Sequence, residues 1–79
     1  MGEGEDILAP LEGKFYRTKD TQEQAIQIGQ EVKAGDTLGY IEAMKTYNAI
    51  RSDVEGTVTA ICLNSGDSVS EDDVLMKIG

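Results

Sequence analysis

A ten-residue pattern occurs twice in this chain, and it constrains the fold more than any other feature. Gly29-Gln30-Glu31-Val32-Lys33-Ala34-Gly35-Asp36-Thr37-Leu38 and Gly66-Asp67-Ser68-Val69-Ser70-Glu71-Asp72-Asp73-Val74-Leu75 share Gly, Val, Asp and Leu at matching places, 37 residues apart. Upstream, Glu12-Gly13-Lys14-Phe15 recurs as Glu55-Gly56-Thr57-Val58, 43 residues apart. Each half therefore reads turn, strand, turn, valine, turn, strand. Such repetition predicts two similar sets of strands related by a pseudo-twofold. The two spacings differ by six, so the first half carries about six additional residues before Ile26. The polar stretch 18–25 is where they fall. A polar excursion from a compact sheet is a tolerated insertion, and in some cases a functional one.

Local pattern supports the same reading. Apolar runs are short, turn residues separate them, and no helical period is sustained. Strands are expected over residues 14–17, 26–28, 37–42, 46–52, 57–63 and 74–78. The fold class is all-β, a flattened barrel or sandwich of two four-stranded halves. The acidic, glycine-containing residues 1–6 are expected to be disordered, leaving 7–79 as the domain. Gly29, Gly35, Gly56 and Gly66 are expected at positive φ in turns. Tyr40 and Tyr47 are expected to pack across strands.

Composition excludes several functions. A chain this short buries only a little over about 60% of its unfolded surface, which leaves little room for a deep pocket. The net charge of −8 opposes binding to nucleic acid or to an anionic membrane surface. No apolar run is long enough to span a bilayer as a helix. The chain lacks histidine, the commonest general base and metal ligand. The single cysteine, Cys62, cannot form an internal disulfide, and its apolar neighbours predict a buried thiol. A cytoplasmic protein without catalysis of its own is expected.

Between the two repeats lies Gly39-Tyr40-Ile41-Glu42-Ala43-Met44-Lys45-Thr46-Tyr47-Asn48-Ala49-Ile50. It reads as two strands meeting at a tight turn with Lys45 at the apex. Met44 is either a turn residue packed on the sheet edge or a surface feature, and Glu42 either simply solvated or recognised.

Glu42-Ala43-Met44-Lys45 resembles the hallmark of biotinyl domains, whose usual form is Ala-Met-Lys-Met preceded by glutamate. The resemblance extends over nearly the whole chain. Ala9-Pro10 with Gly13 resembles the family's entry, Gly29, Val32 and Gly35–Leu38 its first-half turns, Val54–Val58 its Ser-Gly-x-Val segment and Gly66–Val69 its second-half turn. Within the family, Phe15-Tyr16-Arg17-Thr18 is similar to the biotin carboxyl carrier subgroup of acetyl-CoA carboxylases, and residues 18–25 match the position of that subgroup's thumb. Thr46 departs from the pattern, standing where methionine is usual.

The resemblance implies biotin as cofactor, joined by an amide to Lys45. It implies ligase recognition through Glu42, Ala43, Met44 and Thr46. It implies a biotin protein ligase, a biotin carboxylase and a carboxyltransferase as partners, and a role in fatty acid synthesis. Alternatives are the carrier domain of another biotin-dependent carboxylase or decarboxylase, or a lipoyl carrier of a 2-oxo acid dehydrogenase. Lipoyl hairpins typically place an acidic residue before the lysine, where this chain has Met44.

Overall fold

The computed structural model describes residues 5–20 and 22–79. They form eight strands: β1 (Glu5–Leu8), β2 (Gly13–Tyr16), β3 (Glu31–Val32), β4 (Thr37–Ala43), β5 (Thr46–Arg51), β6 (Gly56–Ile61), β7 (Ser68–Val69) and β8 (Val74–Ile78). Two antiparallel four-stranded sheets result, in the orders β1-β8-β6-β3 and β5-β4-β2-β7. Advancing each strand of the first sheet by four, and wrapping past β8, gives the second sheet in the same order. The duplication is thus a structural pseudo-twofold. Each sheet takes two strands from each half of the chain, so neither half is a sheet by itself.

The connections repeat bond by bond. Gly29 N donates to Val58 O at 2.7 Å, and Gly66 N donates to Phe15 O at 2.7 Å. Val58 N returns a bond to Gln30 O, and Phe15 N to Asp67 O. Lys33 N donates to the Asp36 carboxylate at 2.9 Å, and Ser70 N to the Asp73 carboxylate at 2.8 Å. Each carboxylate reaches back to the amide three residues before it and closes the turn, which is why the repeated residue is aspartate.

The core obeys the same symmetry. Val32 and Val69, Leu38 and Leu75, Ile41 and Ile78, Phe15 and Val58, and Ile7 and Ile50 are all buried. Each pair occupies corresponding places in the two halves. Burying such a side chain stabilises the fold by about 1.5–3 kcal/mol, so both copies of the motif feed one small core.

Four expectations are corrected. Of the segment 1–6, residues 1–4 lie outside the described residues, but Glu5 and Asp6 belong to β1. They pair with Ile78 and Lys77, and Asp6 forms an ion pair with Lys77 at 2.9 Å. Residues 26–28 are not a strand. Gln30 N bonds Gln27 O to make a turn, Gly29 takes φ 93°, and Ile28 is left 63% exposed. Cys62 is exposed rather than buried. β6 ends at Ile61, and Ile61 and Leu63 turn toward the core on either side of it. Gly56 has no positive φ; it sits in β6 because a Cβ there would meet Ile78 Cγ2 at 2.8 Å.

Gly29, Gly35 and Gly66 do adopt positive φ. In the second half the counterpart of Gly35 is Asp72, held at φ 74°. A side chain in this left-handed region costs about 1–2 kcal/mol, partly offset by glycine's larger unfolded-state entropy. Asp72→Gly should therefore raise the unfolding free energy by about 0.5–1 kcal/mol. Gly35→Ala should lower it by about 1 kcal/mol although no atom lies within 4 Å of the added Cβ. Denaturant titrations of both variants check the pair.

Candidate functional site

β4 and β5 pair residue by residue down to Ala43 opposite Thr46, leaving a loop of only Met44 and Lys45. Both loop residues have positive φ, 53° and 65°. Positive φ at both central positions is the backbone that a right-twisted hairpin demands of so short a loop. Asn-Gly is the sequence that suits it, and this chain instead places two long side chains there. Strain of this kind collects at functional sites, where the surroundings enforce it.

The surroundings are rigid. Asn48 donates from its side-chain amide to Ile41 O at 3.2 Å, tying β5 to β4 near the loop. On the other flank β2 approaches β4 closely: a Cβ on Gly13 would lie 2.4 Å from Glu42 O. Gly13 is the residue that permits this contact. Ile41 and Phe15 lie fully buried beneath.

The apex residues do not pack. Met44 is 96% exposed, which decides between its two readings: it is a surface feature and does not cover the sheet edge. Lys45 and Thr46 are exposed, while Glu42 and Ala43, the last two residues of β4, are half-buried. Glu42 lies directly between Lys14 and Tyr47 in the sheet register. All five lysines of the chain are exposed, so exposure alone does not distinguish Lys45. It is distinguished by the two-residue apex and its left-handed backbone. An open depression of about 500 Å³ lies between β1 and β5, lined among others by Leu8, Ala49 and Arg51, and it does not include Lys45.

Tyr40 and Tyr47 do pack across strands. Tyr47 meets Tyr16 edge-on with centroids 5.8 Å apart, and Tyr40 at 6.4 Å and 89°. Residues 18–25, apart from the undescribed Thr21, form a structured strap beside them. Arg17 closes its base, donating from its guanidinium to Ile26 O and from its backbone N to Ser65 Oγ. Asp20 accepts from the amides of Gln22 and Glu23. Glu23 accepts from Lys19 N at 3.0 Å and from the Tyr40 hydroxyl at 2.7 Å. The sequence reading missed Glu23, because a contact 17 residues away leaves no mark in local spacing.

These bonds shift two groups. The Lys19 amide, then the Tyr40 hydroxyl, hold the Glu23 carboxyl below its ordinary value of 4.5. The bond to Glu23, then burial, push the Tyr40 phenol above 10.0. Glu23 thus favours the folded strap above its unfolded pKa, and that contribution is lost as pH falls through the lowered value. Tyr40 favours it below pH 10, and that contribution is lost as pH rises through the raised value.

The family model described as "Biotin-requiring enzyme" matches residues 5–78. The biotin carboxyl carrier protein of acetyl-CoA carboxylase from Cyanidium caldarium is 46% identical over 74 residues, covering 92% of this chain and 49% of that protein. The protein of the same description from Haemophilus influenzae is 41% identical over 76 residues, covering 95% and 49%. The chain therefore spans about half the length of the curated relatives it matches. Among solved structures, the urea carboxylase of Kluyveromyces lactis superposes with a TM-score of 0.81 at 28% identity, over 100% of this chain and 6% of that one.

Two outcomes follow from the hairpin and strap. Replacing Met44-Lys45 by Asn-Gly should stabilise the domain by about 1–2 kcal/mol, by relieving two left-handed side chains; thermal unfolding measures it. In hydrogen exchange, protection of the Lys19 and Glu23 amides should fall on acidification through the lowered Glu23 range. Glu23→Gln should flatten that dependence.

Proposed function

The chain belongs to the family of biotin-requiring enzymes, whose model it matches over residues 5–78, and from that premise we propose that it is a biotin carboxyl carrier domain with biotin joined by an amide to Lys45 Nζ. The observation that carries this reading is the hairpin apex, where Lys45 is exposed at φ 65° on a two-residue loop. An exposed amine on a rigid turn enters a foreign active site without unfolding its own domain. It presents one geometry to every partner, which lowers the ordering cost of docking.

The fit to biotin is chemical. The amide consumes the lysine charge, and the lysine stem adds rotatable reach. Biotin, when bound, supplies the ureido nitrogen that carries the carboxyl group. The protein's own part is positioning. The hairpin belongs to one sheet, and the chain-end strands β1 and β8 to the other. β1 lies beside the Ala49–Arg51 end of β5, away from the apex; a tether there leaves the lysine clear and raises the effective concentration of the carried group at both partner sites.

On this reading the carrier itself is not catalytic. It visits a biotin carboxylase site and a carboxyltransferase site, those of acetyl-CoA carboxylase in fatty acid synthesis, in the cytoplasm. Residues 5–79 are the carrier domain, with β1 as its first strand, and 18–25 its thumb-like insertion. Ala43, Met44 and Thr46, with Glu42 at the rim, form the surface a biotin protein ligase reads. The 96% exposure of Met44 supports that role. Met44 also separates this reading from a lipoyl carrier, which would place an acid there.

Co-expression with a biotin protein ligase should raise the intact mass by one biotinyl group, and Lys45→Arg should abolish the increase. Loading of a Lys45→Arg chain would contradict the assignment. Thr46→Met should load faster than the parent in a timed ligase assay.

A further inference from the structure

Tyr40 breaks the alternation of its strand. Ile41 beside it is fully buried in the core, so Tyr40 stands on the outer face of the sheet. Yet Tyr40 is only 7% exposed. The strap and Tyr47 cover it: its hydroxyl donates to Glu23 at 2.7 Å, and Lys19 Nζ lies 5.8 Å from its ring centre.

The pseudo-twofold supplies an internal control. The counterpart of Tyr40 in the second half is Lys77 on β8. Its side chain is 47% exposed and pairs with Asp6. That half has no excursion between β6 and its following turn. The aromatic residue and the additional loop therefore occur together, on one sheet only, and that sheet bears the lysine hairpin. Apart from Arg17 at its base, the described strap bonds to the sheet through a single carboxylate. Glu23 gives one oxygen to the strap's own start at Lys19 and the other to Tyr40.

We propose that Tyr40 is a positioning residue: its hydrogen bond to Glu23 latches the described strap, residues 18–20 and 22–25, over the outer face of the lysine-bearing sheet, so that partner sites engage a closed strap rather than an open aromatic face. The functional half of this inference rests on the reading of Lys45 as the attachment site; the latch itself does not. With the latch intact, Tyr40 is covered, Tyr16 half-buried and Tyr47 exposed at the rim of the aromatic row beside the hairpin. Without it, the strap keeps its base at Arg17 and loses its hold on the sheet.

Tyr40→Phe removes the hydroxyl and keeps the ring. Hydrogen exchange on the full chain, unmodified and biotinylated, should show the Lys19, Gln22 and Glu23 amides exchanging roughly 10- to 100-fold faster, as loss of a hydrogen bond to a charged group implies. Amides of β4 and β6 should be unchanged. Glu23→Ala, on the strap itself, should do the same, and it carries the test if the Tyr40 variant does not fold. With the biotinylated chain as substrate of a biotin carboxylase, KM should rise several-fold at constant kcat, while the ligase loads the variant at the parental rate. Strap amides as protected as in the parent would overturn the latch. Looser amides with unchanged KM would overturn the positioning role. A chain that is never biotinylated would contradict the attachment reading, and the exchange result on unmodified protein would still decide the latch.

Discussion

The two halves of this chain hold each other in place through reciprocal bonds, and everything else depends on that lock. Gly29 of the first half donates to Val58 of the second, and Gly66 of the second donates to Phe15 of the first. Neither half can close its own core. Each contributes two strands to each sheet, and the buried pairs Leu38/Leu75 and Phe15/Val58 interleave across the middle. A chain this small has little area to bury, so a motif used twice is an economical route to one closed core. The lock also explains how a strained loop survives. β4 is flanked by β2 and β5, and its inner face is sealed by Leu38 and Ile41. Met44 and Lys45 are carried at positive φ because the strands on either side cannot slip.

This sets the order of causes for function. All five lysines face water, and several stand in loops. What is particular to Lys45 is the backbone beneath it. A left-handed residue on a two-residue loop projects its side chain clear of both strands, and the sheet fixes the direction. The same rigidity makes a carrier useful, since each partner meets one shape. Among the described residues, the strap is the one large departure from symmetry, and it lies on the lysine-bearing sheet.

Much of the fold was legible because repetition and turn chemistry are local. The spacings of 37 and 43 residues reappear as matched hydrogen bonds, and the Gly-x-x-Val and Asp signals mark real turns. The misses have physical reasons. Residues 26–28 alternate like a strand, but Gly29 bends the chain and β3 takes the place beside β6. Cys62 sits in an apolar run, but its amide still bonds Leu75 of β8 and the side chains still alternate, so Ile61 and Leu63 face the core and it does not. Gly56 looked like a turn glycine because it follows Asp53-Val54-Glu55; its role is close approach to Ile78. At the site, the lysine, its two-residue apex and the tyrosine packing were readable. The full exposure of Met44 and the Glu23–Tyr40 bond were not, because each depends on which strands become neighbours.

The central claim is that the apex backbone, rather than the presence of an exposed lysine, makes the attachment site. Moving the lysine by one residue tests it most directly. A chain carrying Lys45→Thr with Thr46→Lys keeps the composition, the charge and an exposed position for the lysine, but moves it off the left-handed apex onto β5. The account predicts that a biotin protein ligase loads the parent fully and leaves this variant unmodified by intact mass, with both chains folded at the assay temperature. Loading of the shifted lysine at the parental rate would contradict it.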